Sequence, residues 1–516
     1  MYTLGDVPRK GATLFPDKVA MIFGDTRIRY RELDERVNRF ANALLGLGCR
    51  KGDRITILAE NTNKYMEIYF AAARAGLSAT PLNFRLSDPE LIHIINDCEA
   101  SVFLIGDGYE KRALAMKKDL NCIRTWIAID NREDACLCYE ELIAAASAAD
   151  PEVPVDENDM AILMYTGGTT GLPKGVMLSH RNLLTAAYGL IMCYSFSHRD
   201  IQCFMMPLFH IALWPVLCLL MVGGTIVILP RADVQEALKT IQTEKCNKVL
   251  LVPTLVGWMM SAPNLNDFDL SSLCAIQYAG SPMPVELLKK CIRKFGNIFM
   301  QGYGLTEAAP ILTSLNPEDH ILEGPKAKRL SSVGKEGVVV TVRVVDENDI
   351  PVKPGQVGEI VGRGSNIMLG YWKNPELTAA ALRGGWLHTG DMGTVDEDGY
   401  IYLVDRKSDM IVTGGENVYP KEVEDVLYQH ADVQECAVVS APDEKWGERV
   451  QAVVVLMKGK KVSSEALLNH CKVRLSGFKC PKSIEIWEEL PKTAVGKILR
   501  KDIKKQFWKE HDKLIG

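Results

Sequence analysis

Apolar residues at positions 33, 37, 40, 41 and 44 recur along one face at helical spacing, and the pattern closes near Gly46 and Gly48. A short β-branched run, Arg54-Ile-Thr-Ile-Leu, follows and predicts a strand. The spacing then predicts a helix over 63–75 that stops at Gly76, and Asp88-Pro89-Glu90 opens another helix with proline in its first turn. Ser101-Val-Phe-Leu-Ile reads as the next strand. Strands separated by helices of this length predict mainly parallel sheets with helices on both faces. The same alternation resumes over 161–310, whereas 333–403 turns to short strands joined by polar turns. After the charged segment Asp405-Arg-Lys-Ser408 a new α/β alternation begins, with a helix at 420–428, strands near 436–440 and 450–457, and a helix over 464–475. The expected fold is therefore α/β. A large domain over 1–404, with a β-rich subdomain at about 333–404, is joined through a hinge at 405–409 to a small α+β domain over 410–516.

Residues 201–230 contain no Asp, Glu, Lys or Arg, and the stretch is long enough to span a bilayer. Pro207, His210, Pro215 and the pair Gly223-Gly224 divide it into a short helix, a turn and a strand over 225–229, the pattern of a buried unit. No integral membrane segment is expected. Asp6, Arg9 and Lys10 stand where a signal peptide needs an apolar core, so the expected location is cytoplasmic. The 516 residues allow about three folding units. Sixty Lys and Arg against 65 Asp and Glu leave a net charge of −5, which excludes a global field for nucleic acid. The 14 cysteines are scattered, and Cys136 and Cys138 lack zinc-site spacing.

The sharpest chemical signal is Tyr165-Thr-Gly-Gly-Thr-Thr-Gly-Leu-Pro-Lys-Gly-Val176. Glycines let backbone N–H groups approach an anion, Thr166, Thr169 and Thr170 add hydroxyls, and Lys174 adds charge, so the segment reads as a phosphate-binding loop. It is not a Walker A loop, because Lys174 precedes Gly175 rather than Ser or Thr. A plain glycine-rich turn is the bland alternative. Thr306 followed by Glu307 suits either a phosphate and cation site or a helix start capped by threonine. His210 is expected to head the charge-free helix and offers a side chain that titrates near neutrality, and Trp214 four residues on shares its helical face; a core histidine and ordinary core packing are the bland alternatives.

The loop resembles that of the adenylate-forming superfamily, which includes acyl-CoA synthetases, firefly-type luciferases and the adenylation domains of peptide synthetases. Further motifs of that family follow in order: Pro207-Leu-Phe-His210, Tyr278-Ala-Gly-Ser-Pro282, Gln301-Gly-Tyr-Gly-Leu-Thr-Glu307, Gly385-Trp-Leu-His-Thr-Gly-Asp391, Asp405-Arg406-Lys407, Gly414-Gly-Glu-Asn-Val-Tyr-Pro420 and Pro491-Lys-Thr-Ala-Val-Gly-Lys497. The resemblance spans essentially the whole chain. It implies a nucleotide site built from Thr166, Gly167, Gly168, Thr169, Thr170, Gly171 and Lys174, with Gly280, Ser281, Pro282, Gly302 and Tyr303 about the adenine, and Asp391 and Arg406 on the ribose and phosphates. It implies Mg²⁺ near Thr170 and Glu307, and an acyl site at His210, Trp214 and Gly304. Lys497, Thr306, Glu307 and His210 are the expected catalytic groups, with Lys497 carried by a mobile small domain. Gly414, Gly415, Trp446, Lys479 and Lys482 are the expected coenzyme A contacts. Three positions depart from the family pattern: Ser408 replaces Asp or Lys at the pivot, Gly167 replaces a common serine, and Cys480 replaces a basic residue.

The implied activity is an ATP-dependent carboxylic acid:CoA ligase that releases AMP, with ATP, CoA and a medium-chain, branched or cyclic/aromatic acid as small-molecule substrates, and with a homodimer as a permitted assembly. The rival readings are an adenylating enzyme that loads a carrier protein or another acceptor, a non-catalytic nucleotide-binding regulator, and a P-loop NTPase that would release ADP.

Overall fold

The computed structural model of the protein describes residues 1–508 apart from 131–132, 167–172, 211, 282, 407–408, 414–415, 444–445 and 493–497, and also leaves the side chains of 406 and 417 undescribed. The helix Tyr30–Gly46 buries Leu33, Val37, Phe40, Ala41 and Leu44, the stripe that the sequence marks. The helix Asp88–Asp97 starts as its residues dictate. Ser87 and Glu90 form a reciprocal capping box, in which the Ser87 N–H donates to Glu90 Oε2 at 2.8 Å, and Pro89 needs no intrahelical donor in the first turn.

Two large sheets form the N-terminal domain. The first runs in the order Gly370–Tyr371, Lys174–Ser179, Met160–Thr166, Ser78–Pro81, Arg54–Leu58, Ala100–Ile105, Thr125–Ala128 and Leu137–Cys138. Its pairings are parallel from Met160–Thr166 onward and antiparallel at the end that carries the phosphate-loop hairpin. The second has nine strands, in the order Lys335–Glu336, Thr313–Leu315, Phe299–Tyr303, Ala275–Ala279, Lys248–Leu251, Ile201–Phe204, Thr225–Ile228, Val19–Phe23 and Thr26–Arg29. Its centre is parallel, so its strand ends present loops on one edge, where ligands of open α/β sheets bind. The β-rich subdomain is an antiparallel sheet of Val340–Val345, Gly358–Gly364, Leu387–Val395 and Ile401–Arg406.

The charge-free segment folds as strand Ile201–Phe204, helix Leu213–Val222 and strand Thr225–Ile228, all deeply buried. No helix among the described residues is long and apolar enough to cross a membrane. The helix begins at Leu213, so His210 does not head it; His210 stands in the turn before it, with its N–H on Pro207 O at 3.2 Å. Pro207 fixes the chain at the start of that turn, and of the two candidate residues only Trp214 is helical.

The last strand of the β-rich sheet ends at Arg406, and a new sheet starts at Ile411–Thr413. Glu416–Val418, Ile411–Thr413, Gly447–Leu456 and Val433–Asp443 are antiparallel neighbours, with Ser483–Ile486 added in parallel beside Gly447–Leu456. Ile411, Val423, Leu427, Val438, Val450 and Leu467 belong to a separate apolar core beneath helices Pro420–Tyr428 and Ser464–Lys472. Asp405, the penultimate residue of the last large-domain strand, accepts the Lys421 N–H at 2.8 Å and Arg500 Nη1 at 3.2 Å. Arg500 also donates to both oxygens of Glu424 and reaches Asp409 at 3.5 Å, tying the chain on both sides of 407–408 to the C-terminal helix Arg500–Trp508.

Candidate active site

The phosphate-loop hairpin is held at both ends. Thr166 and Lys174 are direct partners across the antiparallel strands Met160–Thr166 and Lys174–Ser179, which fixes the mouth of the intervening loop. Gly167, Gly168, Thr169, Thr170 and Gly171 lie outside the described residues. Below the loop, the Tyr165 hydroxyl hydrogen-bonds Asp97, whose carbonyl also accepts Trp372 Nε1 at 2.9 Å and Lys373 Nζ at 2.8 Å. Burial and the bond to Asp97 push the Tyr165 hydroxyl far above its ordinary pKa, so it remains a donor. Gly175 admits this packing: a Cβ there would stand 3.0–3.2 Å from Leu163, Tyr165 and Trp372.

Thr306 and Glu307 occupy a 3₁₀ turn, Thr306–Ala308, directly after strand Phe299–Tyr303. No long helix starts there, and Leu305, not Thr306, takes the cap position. The Glu307 carbonyl accepts the Met368 N–H at 2.9 Å, and Glu307 Oε1 accepts the Tyr371 hydroxyl at 2.8 Å. Tyr371 belongs to the edge strand Gly370–Tyr371, whose partner is the second strand of the phosphate-loop hairpin. Its hydroxyl is held protonated by burial and by the Glu307 charge. One tyrosine thus ties the candidate cation ligand to the candidate phosphate loop. Glu307 Oε2 accepts no hydrogen bond among the described residues, leaving one carboxylate oxygen for a hard cation that draws its other ligands from phosphates and water.

Asp391 is buried on strand Leu387–Val395, opposite Arg406, and its Oδ2 accepts the Tyr303 hydroxyl at 2.8 Å. The structure thereby brings the candidate ribose and adenine residues together from positions 88 residues apart. Glu359 supports this stretch: its Oε1 accepts the Gly390 N–H at 3.1 Å and its other oxygen lies 3.4 Å from His388 Nδ1. Gly280 has φ +88°, in the region that favours glycine, at the end of strand Ala275–Ala279; Ser281 follows, and Pro282 lies outside the described residues. Gly302 and Gly304 are narrow for different reasons. A Cβ on Gly302 would meet the Tyr194 hydroxyl at 2.6 Å, whereas one on Gly304 would meet the Pro310 carbonyl oxygen at 1.8 Å.

Trp214, expected at the acyl site, is 2% exposed in the first turn of its helix, and its Nε1 has no hydrogen-bond partner among the described residues. On the small domain, Trp446 is 44% exposed after a turn in which its N–H bonds Asp443 at 3.0 Å. Lys482 lines a cavity of about 480 Å³ with Lys472, Leu468, Leu475 and Cys480. Lys479 instead pairs with Glu422 at 2.7 Å. Gly414, Gly415, Ser408, Lys497 and the Arg406 side chain lie outside the described residues.

Sequence reasoning missed Tyr371, Asp97 and Glu359. Tyr371 lies 64 residues from its partner Glu307, and no local spacing signals such a contact.

Comparison with known proteins agrees with this geometry. The family model described as AMP-binding enzyme matches residues 9–372, and that described as AMP-binding enzyme C-terminal domain matches residues 422–497. A feruloyl-CoA synthase from Amycolatopsis sp is 38% identical, covering 98% of this chain and 99% of that protein. An indoleacetate–CoA ligase from Aromatoleum aromaticum is 34% identical, covering 96% of each. Among solved structures, an anthranilate CoA ligase in complex with anthranoyl-AMP superposes with a TM-score of 0.90 at 27% identity, over 98% of this chain and 97% of its own. With one family model matched over most of the large domain, a second over the small domain, and relatives covering nearly its full length, the chain is a member of the AMP-binding, adenylate-forming enzyme family.

Proposed function

We propose that the protein is an ATP-dependent acid:CoA ligase, AMP-forming, whose acid is cyclic or aromatic. The observation that carries the reading is the chain of contacts around Tyr303-Gly-Leu-Thr-Glu307: Tyr303 on Asp391 at one end, and Glu307 on Tyr371 and the phosphate-loop hairpin at the other. A nucleotide lying along this stretch would place its ribose at Asp391 and its α-phosphate at Thr306. The acid's carboxylate oxygen then attacks the α-phosphorus, pyrophosphate leaves, and an acyl-adenylate forms. In the second step the CoA thiol attacks the acyl carbonyl and AMP departs. Glu307 would hold Mg²⁺, which supplies charge neutralisation on the phosphates when bound. Lys497 would neutralise charge as the two anions approach, an effect of several kcal/mol in a water-poor site, and the small-domain residues Trp446 and Lys482 would receive CoA. The aromatic preference follows the acids named for the feruloyl and indoleacetate relatives.

The test is AMP release from ATP and Mg²⁺ with short, medium, long and aromatic acids, each with and without CoA, with Lys497→Ala as control. Acid-dependent AMP that turns over only with CoA is expected. AMP indifferent to CoA would redirect the acyl group to another acceptor, and no AMP with any acid would overturn the reading.

A further inference from the structure

The face of the nine-stranded sheet that carries helix His180–Tyr194 holds the deeply buried polar side chains of Gln202, Lys248 and Gln277. Gln202 and Lys248 stand opposite each other in adjacent parallel strands, and Lys248 Nζ donates to Tyr194 O at 3.2 Å, which fixes the face. Lys248 is further satisfied by Asp200 at 3.8 Å and by the Phe196 ring. The glutamines are satisfied only in part. Gln202 Nε2 donates to Gln277 Oε1 at 3.0 Å, while Gln202 Oε1 and Gln277 Nε2 have no hydrogen-bond partner among the described residues. Buried amide groups rarely remain so, because each unmade bond carries its full desolvation cost. Exchanging oxygen and nitrogen in both amides leaves the same complement, one acceptor on one side chain and one donor on the other.

The position of this pair tells what it faces. Gln277 lies two residues before Ala279, the direct partner of Gly302, and Gly302 stands two residues before Gly304 of the expected acyl site. Residues i and i+2 share a face, so the amides lie roughly 6–7 Å further along the sheet from the Ala279–Gly302 row, at a strand rise of about 3.3 Å per residue. Tyr194 spans this distance, with its carbonyl on Lys248 and its hydroxyl against Gly302. Helix Leu213–Val222, which carries Trp214, packs on helix His180–Tyr194 through Cys218 Sγ and Ala187 O at 3.5 Å. The unpartnered Trp214 Nε1 therefore belongs to the same layer of the domain as the two amides.

We propose that the Gln202–Gln277 pair reads the far end of the acyl group, and that the acid activated carries a hydroxyl on its ring remote from the carboxylate. The inference rests on the ligase reading above and deepens it. A hydroxyl has one donor hydrogen and two lone pairs, so it donates to the free amide oxygen and accepts from the free amide N–H, completing both. A bare ring or alkyl end buries against the same amides and leaves both unmade. A site built to hydrogen-bond a substrate hydroxyl rejects the analogue that lacks it far more strongly than a hydrophobic pocket rejects a missing methylene.

The experiment measures kcat/KM for acid-dependent AMP formation with 4-hydroxybenzoate against benzoate and 4-hydroxycinnamate against cinnamate, in the wild type, Gln277→Leu and Gln202→Leu. In at least one pair the wild type prefers the hydroxylated acid by roughly 10²–10⁴-fold, and each substitution reduces that preference to below about 10-fold by lowering turnover of the hydroxylated acid toward that of the bare one. Equal use of both members of each pair by the wild type overturns the inference, as does a preference that survives both substitutions in variants with wild-type melting temperatures. Gln277→Met serves if leucine prevents folding, and the wild-type selectivity decides independently of any variant. AMP formation with alkanoic acids but with none of the four aromatic acids overturns the inference and leaves the ligase reading intact; no AMP with any acid overturns both.

Discussion

Gly304→Ala separates packing from chemistry at the centre of the site. An added Cβ would lie 1.8 Å from Pro310 O, 2.8 Å from Pro310 C and 3.0 Å from Leu312 N, so the facing main chain must retreat by more than 1 Å to restore a contact of 3.0 Å. That main chain is not free to yield. Leu312 N donates to Tyr303 O at 2.8 Å, and the buried Asn366 amide donates to Ala308 O at 2.8 Å and Ile311 O at 3.0 Å. Overpacking by one methyl costs about 1–3 kcal/mol, and loss of a main-chain hydrogen bond adds about 1 kcal/mol, so a loss of roughly 2–4 kcal/mol is expected. With an unfolding entropy of about 2.1 cal/mol/K per residue over roughly 400 residues, the melting temperature falls by about 2–5 °C. Thr306 and Glu307, the proposed catalytic groups, move with the chain, and a displacement of about 1 Å at such a group costs roughly 10²-fold in turnover. Gly302→Ala is the control, because its Cβ meets only the tips of Tyr194 and Ile311, at 2.6 and 3.0 Å, which rotate away. Its melting temperature should drop by less than about 2 °C. Calorimetry and AMP release on both variants provide the measurement. A Gly304→Ala protein that melts within about 1 °C of the wild type would refute the claim that the Pro310 segment is rigid.

Tyr371→Phe removes the 2.8 Å hydrogen bond to Glu307. A hydrogen bond to a charged group is worth about 1.5–3 kcal/mol, so adenylation should need roughly 10-fold or more Mg²⁺ for half-maximal rate, read by Mg²⁺ titration at fixed ATP; an unchanged titration would remove Tyr371 from the site. Arg500→Ala leaves the carboxylates of Asp405 and Glu424, 2% and 11% exposed, without their cation, and should destabilise the small domain by about 3–5 kcal/mol in urea unfolding followed through its tryptophans. Unfolding within about 1 kcal/mol of the wild type would show that the cluster does not depend on the guanidinium. Burial lowers the pKa of both His180 and His320 to about 4. The unfolded chain takes up these protons near pH 6.5 while the native histidines stay neutral, so stability is constant above that pH and falls as pH drops from about 6.5 to 4, by up to roughly 3 kcal/mol per residue. A urea midpoint that is flat across that window would contradict the burial of both rings.

Much of the nucleotide end was legible in the sequence because it is made of contiguous backbone. Tyr165-Thr166 and Lys174-Gly175 end two paired strands, and Gln301 to Glu307 is the end of a strand and its exit, so residue types and order carry the local structure. The helix Pro420–Tyr428 was legible to the residue for the same reason, with proline in its first turn and Val423, Val426 and Leu427 on one face. One reading changed and one alternative fell. His210 was expected to head the helix, yet helical geometry begins only at Leu213, and the capped helix start offered as the alternative for Thr306 is not there, because the chain leaves the turn after three residues. Both are boundary effects, where a local preference is overridden by the route the chain must take.

The acyl end is legible only in three dimensions. Gln202 and Gln277 are 75 residues apart, and each sits in an apolar run where a lone glutamine reads as a lapse in the strand pattern. Their significance appears when the parallel register brings them to one face and leaves a donor and an acceptor unmatched. The same holds for Tyr371 and Glu307, whose bond joins two loops that no periodicity connects. The chemistry shared by the superfamily is written in short strings because phosphates are gripped by backbone and turns. Selectivity for the acid is written in side chains from separate strands, since a pocket floor within a sheet must draw each polar group from a different strand, and so from a distant part of the chain.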